Sequence, residues 1–168
     1  MENSKKQEIL DMVEKNAAEA QIRDDVCSRS TMYGLKYGFD FIPEEMVTSS
    51  LSLCGGTGIS SGSCGAYCSA LLAIGLKYNP TMAEESIDKS IMMRGIGKTL
   101  AFRDAFLKEF GTTMCPEIHK TLFGRSYNFL DGKQNEEFLN LPGHAEKCST
   151  VVAKAARMAA EMILDDED

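Results

Sequence analysis

The sequence contains no tryptophan, only two histidines, and fewer bases than acids: 18 Lys and Arg against 25 Asp and Glu, a net charge of −7 over 168 residues. The shortage of cations argues against binding nucleic acid or an anionic membrane surface, both of which need a surplus of Lys and Arg. No apolar run approaches the roughly eighteen residues of a membrane span, so no membrane insertion is expected. The opening MENSKKQEIL lacks the uninterrupted apolar core of an export signal, and the sequence therefore predicts a cytoplasmic protein. There is no C-x-x-C pair, hence neither a haem-attachment motif nor the close ligand pairs usual in zinc and ferredoxin sites. Alternating β-branched stretches are missing too, which points away from a sheet.

What is present suits one ordinary domain. The chain has a mass of 18.4 kDa, with 43% apolar and 26% charged residues, a composition that buries a core. Six cysteines are the anomaly. A protein kept where thiols stay reduced has little use for structural disulfides, so these cysteines ask for another explanation.

Helical periodicity dominates. Ile9, Leu10, Val13, Ala17 and Ala20 step at three and four along a first amphipathic helix. A second stretch, from about Asp24 to Tyr37, either continues it or follows it, with Gly38 as its stop. Pro43-Glu44-Glu45 opens a third helix. The Gly- and Ser-rich Cys54 to Gly65 reads as a loop, from which an apolar helix of about residues 64–78 rises as the buried centre of the domain. Thr81-x-x-Glu84 is a capping box that starts a long segment toward Phe110. Gly95 and Gly97 are candidates to kink or break it, and Gly111 closes it. Pro116 opens a short helix, residues 124–143 look irregular, and a last helix carries Cys148, Val151, Val152, Ala155, Met158, Ala159, Met162 and Ile163 on one stripe. Residues 165–168 read as an acidic solvated tail. The expectation is an all-α, single-domain bundle of about five to seven helices over residues 1–168.

Three motif-like strings carry no weight. Gly58-Ile59-Ser60-Ser61-Gly62 matches a nucleophile elbow but no strand precedes it. Gly97-Lys98-Thr99 resembles the end of a phosphate loop, yet the pattern's first glycine falls on Met92. Gly56, Gly58 and Gly62 miss the dinucleotide spacing by one residue. An internal echo, Cys27-Ser28 with Gly34-Leu35-Lys36-Tyr37 against Cys68-Ser69 with Gly75-Leu76-Lys77-Tyr78, is either a duplicated helix presenting two equivalent thiols or coincidence.

The cysteines differ in context. Cys64 follows Ser63, a good N-cap, and so belongs in the first turn of its helix, where backbone N–H groups and the helix dipole lower a thiol pKa. Cys115 precedes Pro116 and reads as the N-cap of its own helix. Cys148 points inward from the last helix, and Cys27 sits on a helix beside Val26; each suits either core or chemistry. Cys68, four residues after Cys64, shares its face, and Cys54 stands at the mouth of the Gly-rich loop. His119, four residues after Cys115, either completes a Cys/His metal set or is a surface histidine. His144 carries little signal.

With these residues in view the chain resembles the redox-active family named C_GCAxxG_C_C. The motif reads Cys64-Gly65-Ala66-Tyr67-Cys68-Ser69, with Ser69 where the family has glycine. The approach through Gly55, Gly56, Gly58 and Gly62, the continuation Ala70 to Tyr78, and Phe106-Leu107-Lys108-Glu109-Phe110-Gly111 leading to Cys115 are also similar. The resemblance runs from about Cys27 to Ile163 and implies that Cys27, Cys64, Cys115 and Cys148 are the family's four cysteines, with Cys54 and Cys68 as extras. It implies redox activity, and it implies a redox partner associated with transporters, near whose genes such proteins are often encoded.

Three functions stay open at this stage. One is thiol–disulfide or electron-transfer chemistry, an oxidoreductase-like activity in which Cys64 or Cys115 attacks and a neighbouring cysteine resolves. Another is binding of zinc or an iron–sulfur cluster by Cys27, Cys64, Cys115 and Cys148, with Cys54, Cys68 and His119 as further ligands. The third is an accessory domain whose cysteines are merely buried. Ala- and Met-rich helix faces suit a homo-oligomer as well as a core.

Overall fold

The computed structural model describes residues 3–85 and 89–165. Among these, every regular element is helical: α1 (Asn3–Asp24), α2 (Cys27–Gly38), α3 (Glu44–Ser49), a 3-10 turn (Ser50–Leu53), α4 (Gly65–Tyr78), α5 (Met82–Glu85), α6 (Lys89–Phe110), α7 (Cys115–Phe123), α8 (Gly132–Leu139) and α9 (His144–Asp165). The all-α expectation holds, with nine α-helices among the described residues rather than five to seven. No described helix is long and apolar enough to cross a membrane. Most of the proposed acidic tail, residues 166–168, lies outside the described residues, as do residues 86–88 within the segment expected to run from Thr81 to Phe110.

α1 lies along both α2 and α9, while α4 packs against α2, α6 and α9. The apolar steps on α1 become buried contacts at Leu10, Val13, Ala17 and Ala20. Close approach of α2 depends on Gly34, where a Cβ would fall 2.5 Å from the Ala17 Cβ and 2.7 Å from the Val13 carbonyl oxygen. α9 buries the stripe read from its sequence, from Val151 and Val152 through Ala159 to Ile163. Its Arg157 Nη1 donates to Asp11 at 3.0 Å and Glu14 at 2.7 Å, fastening it to α1. Tyr67, Phe106 and Phe110 form a ring column with centroids 5.0 and 4.5 Å apart, fixing α4 on α6; such pairs contribute about 0.5–1.5 kcal/mol each.

Four details sharpen or depart from the sequence reading. α4 is central but not wrapped all round, since its Leu72 and Leu76 are exposed. α1 and α2 are separate because Asp25 takes a left-handed conformation (φ 51) and its N–H closes onto the Gln21 carbonyl at 2.9 Å. α6 runs unbroken through Gly95 and Gly97; Gly95 is the groove into which Asn79 fits, its Oδ1 lying 2.2 Å from where a Cβ would stand. The stretch read as irregular contains α8, nucleated by Asp131, whose carboxylate accepts the Lys133 and Gln134 N–H groups.

Candidate functional site

A backbone clamp brings two cysteines together. The Cys64 N–H donates to the Thr113 carbonyl at 2.7 Å and the Cys115 N–H to the Gly62 carbonyl at 2.9 Å, a single antiparallel bridge centred on Ser63 and Met114. The bridge starts α4 and α7 beside one another. It also moves each helix start by one residue from the sequence expectation. Held extended in the bridge, Ser63 and Met114 cannot enter a helix, so Cys64 rather than Ser63 is the N-cap of α4, and Met114 rather than Cys115 is the N-cap of α7.

Cys27 and Cys148 reach the same place from the other side of the bundle. Cys27 is the first residue of α2, and Cys148 lies one turn into α9. Cys27, Cys64, Cys115 and Cys148 all line an inner cavity of about 40 Å³, together with Ala66, Ile118, His119, Leu122, Val151 and Val152. Cys27, Cys115 and Cys148 also line a larger outer cavity of about 250 Å³, joined there by Cys54. Cys27, Cys115, Cys148 and His119 thus line both the inner space, which reaches Cys64, and the outer one. All six cysteines are free thiols.

The Cys-Gly-Ala motif has a steric reason. A Cβ on Gly65 would lie 2.8 Å from Cys27 Sγ, 2.7 Å from the Leu53 carbonyl oxygen and 3.0 Å from Ser28 Cβ. Only glycine lets α4 come this close to the start of α2. Gly65→Ala should therefore lower unfolding free energy by about 1–3 kcal/mol, the usual range for overpacking, measured by urea denaturation. The Ser69 side chain, where the family has glycine, is fully buried, and its hydroxyl has no hydrogen-bond partner. Ser69→Ala removes that orphan and should raise stability by about 1 kcal/mol. Ser69→Gly should gain nothing, because a helix-interior glycine costs about 1 kcal/mol relative to alanine. Thermal melts of the two variants test this.

The loop ahead of the motif is a left-handed turn. Gly55, Gly56, Thr57, Gly58, Ile59 and Ser61 all have positive φ, three of them non-glycine, and a branched residue in that region is rare and costly. Backbone bonds hold it closed: Gly58 N–H to the Ser52 carbonyl at 2.9 Å and Gly62 N–H to the Gly56 carbonyl at 2.8 Å. It carries Cys54 and Ile59 to the outer cavity. The N–H groups of Gly55 and Ser28 favour the Cys27 thiolate.

Electrostatics oppose ionisation of Cys27, Cys64, Cys115 and Cys148. Burial pushes Cys27, Cys64 and Cys115 up to about 12, with neighbouring cysteine charges adding to the shift, and moves Cys148 upward for the same reasons. The Tyr67 and Ala66 N–H groups do favour the Cys64 thiolate, as its helix position led one to expect. They are outweighed, so the expected lowering of the Cys64 pKa is overturned by burial. His119 is buried and held neutral, its pKa lowered by burial to about 4. It is no surface histidine. Its Nε2 lies 3.8 Å from Cys115 Sγ, its ring stacks on Phe138 at 5.0 Å, and its Nδ1 has no partner.

Of the further sequence candidates, Cys54 joins the outer cavity, whereas Cys68 lines neither cavity and lies 3.4 Å from Thr57 Oγ1. Cys27 and Cys68 therefore occupy unlike positions, and the echo between their helices does not present two equivalent thiols. Among the described residues, no three His, Cys, Asp or Glu side chains stand together as a metal-binding group. His144, which carried little signal, bonds Asp25 Oδ2 through Nε2 at 2.8 Å and the Leu141 carbonyl through Nδ1 at 3.1 Å. Burial lowers its pKa, but these two acceptors outweigh that and raise it overall.

Sequence reasoning missed Gln21, Asp25, Phe129, Asn135, Phe138 and Leu139, all lining the outer cavity. Gln21 left a trace: it falls on the buried register four residues after Ala17, where a polar residue is out of character. The α8 residues left none, because their helix was hidden in a polar stretch.

The family model described as "Putative redox-active protein (C_GCAxxG_C_C)" matches residues 26–162. No curated protein and no solved structure matches the chain.

Proposed function

We propose that this chain, which belongs to the C_GCAxxG_C_C family over residues 26–162, is a redox protein whose gathered cysteines work as a dithiol–disulfide couple. One observation carries the reading: four cysteines from separate helical segments line one 40 Å³ space, and three of them also face a cavity of 250 Å³. Two protein thiols and an external disulfide give one protein disulfide and two external thiols, so two electrons and two protons leave together. Cys115 is the attacking sulfur. His119, neutral and 3.8 Å away, takes the thiol proton as the sulfur–sulfur bond forms. Being weakly basic, it passes that proton to the departing thiolate. Cys27 or Cys148 then breaks the mixed disulfide. Cys64, which lines only the inner space, is a partner in the internal exchange rather than the first nucleophile.

The metal reading has one observation in its favour. The four thiols raise one another's pKa, and a cation in their midst would relieve that repulsion. Cys27, Cys64, Cys115, Cys148 and His119 would hold it, after side-chain movement, and the small inner space suits a single ion better than a polynuclear cluster.

Counting thiols in anaerobically purified protein, before and after treatment with a disulfide oxidant, separates the readings. The dithiol account expects two thiols lost and recovered on reduction, with Cys115→Ser abolishing the loss. Bound zinc or iron in proportion to the protein supports the metal reading. Indifference of all four cysteines to oxidant in the folded protein leaves the accessory-domain reading.

A further inference from the structure

We propose that the 250 Å³ outer cavity is the substrate pocket and that it selects a small, uncharged disulfide with an apolar body. The proposal rests on the dithiol reading and adds the substrate class. The volume lies just below the range of drug-sized sites, about 300–1,000 Å³, and so suits a small molecule. Ile59, Phe129, Phe138 and Leu139 supply apolar walls, and the exposed Ile59 and Leu139 mark the solvent side.

Charge decides the rest. Among the described residues no Lys or Arg lines the cavity, and the one acid that does, Asp25, is bonded to His144. An anionic disulfide would bring carboxylates into a mostly apolar space that already holds one carboxylate and is lined by no Lys or Arg among the described residues. A neutral one meets no such penalty.

Gln21 and His119 also line the cavity, but Gln21 Oε1 and His119 Nδ1, without a hydrogen-bond partner among the described residues, are themselves fully buried and set no particular end group for the ligand. The balance is the one already given: a bound disulfide R–S–S–R takes two electrons and two protons from two protein thiols and leaves as two R–SH.

The test compares 2-hydroxyethyl disulfide with the dianion 3,3′-dithiodipropionate on the reduced full chain, following thiol loss. Each rate is divided by that for the same chain unfolded in urea, which removes the intrinsic reactivity of the oxidant. The neutral disulfide should be favoured by about ten-fold or more in the folded protein. Equal normalised rates for the two oxidants would overturn the pocket proposal while leaving the dithiol reading intact. A second measurement works even if neither oxidant reacts and the dithiol reading fails. Ligand-observed NMR with the unreactive isosteres 1,6-hexanediol and adipate should show saturation transfer to the diol only. No transfer to the diol, or equal transfer to adipate, overturns the proposal.

Discussion

Iodoacetamide should alkylate Cys27, Cys64, Cys115 and Cys148 in the folded, reduced protein about a thousand-fold more slowly at pH 7.5 than in the unfolded chain. The reagent reacts with the thiolate. A thiol of pKa about 12, the level to which burial and neighbouring cysteines push Cys27, Cys64 and Cys115, is ionised roughly three orders of magnitude less at that pH than one near 8.5. The protection should fade as pH rises toward 12. Peptide mapping after timed alkylation reads each site separately. Alkylation of Cys64 at the unfolded rate in the folded protein would contradict the burial argument and restore the lowered pKa its helix position suggested.

The second large effect is on stability at both ends of the pH range. His119 is held neutral down to about pH 4 in the folded protein, whereas an exposed histidine protonates near 6.5. As pH falls through that window the unfolded chain takes up the proton first. Stability contributed by neutral His119, about 3 kcal/mol, is therefore lost between about pH 6.5 and 4. His144 acts in the opposite sense: its raised pKa gives stability present below about pH 6.5 and lost as pH rises through its folded value. At the alkaline end the unfolded thiols ionise from about pH 8.5 while the buried Cys27, Cys64 and Cys115 hold their protons to about 12, so stability falls again across that window. Urea denaturation from pH 4 to 10, on the wild type and on His119→Phe, measures the acid arm by difference. The phenyl ring keeps the stack on Phe138, and the variant should lose most of the decline between pH 6.5 and 4. An unchanged decline would assign it to other groups.

The helices were legible because their signals are local. The apolar steps of α1, the stripe of α9, the Thr81–Glu84 capping box and Gly111 each act within a few residues. The four cysteines could be picked out only through the family resemblance, because nothing local to Cys27 or Cys148 distinguishes a site thiol from a core one. What joins them is tertiary: the bridge between Ser63 and Met114, and the contact that Gly65 permits with Cys27. Burial is likewise a property of the whole fold, and for that reason the helix-terminus argument for Cys64 had the sign of its local term right and the net shift wrong. The outer cavity was beyond reach of the sequence because Phe129, Asn135, Phe138 and Leu139 of its wall come from α8 and the segment before it, far along the chain from Gln21 and Asp25.

Six cysteines in a chain without a C-x-x-C pair now divide by position: four around the inner space, Cys54 at the outer cavity and Cys68 apart. The most direct test of the account is a disulfide map of the reduced protein after anaerobic reaction with one equivalent of 2-hydroxyethyl disulfide. The account predicts the loss of two thiols and one intramolecular disulfide joining two of Cys27, Cys64, Cys115 and Cys148, with Cys68 still free. Six free thiols after the reaction, or a disulfide that includes Cys68, would contradict it.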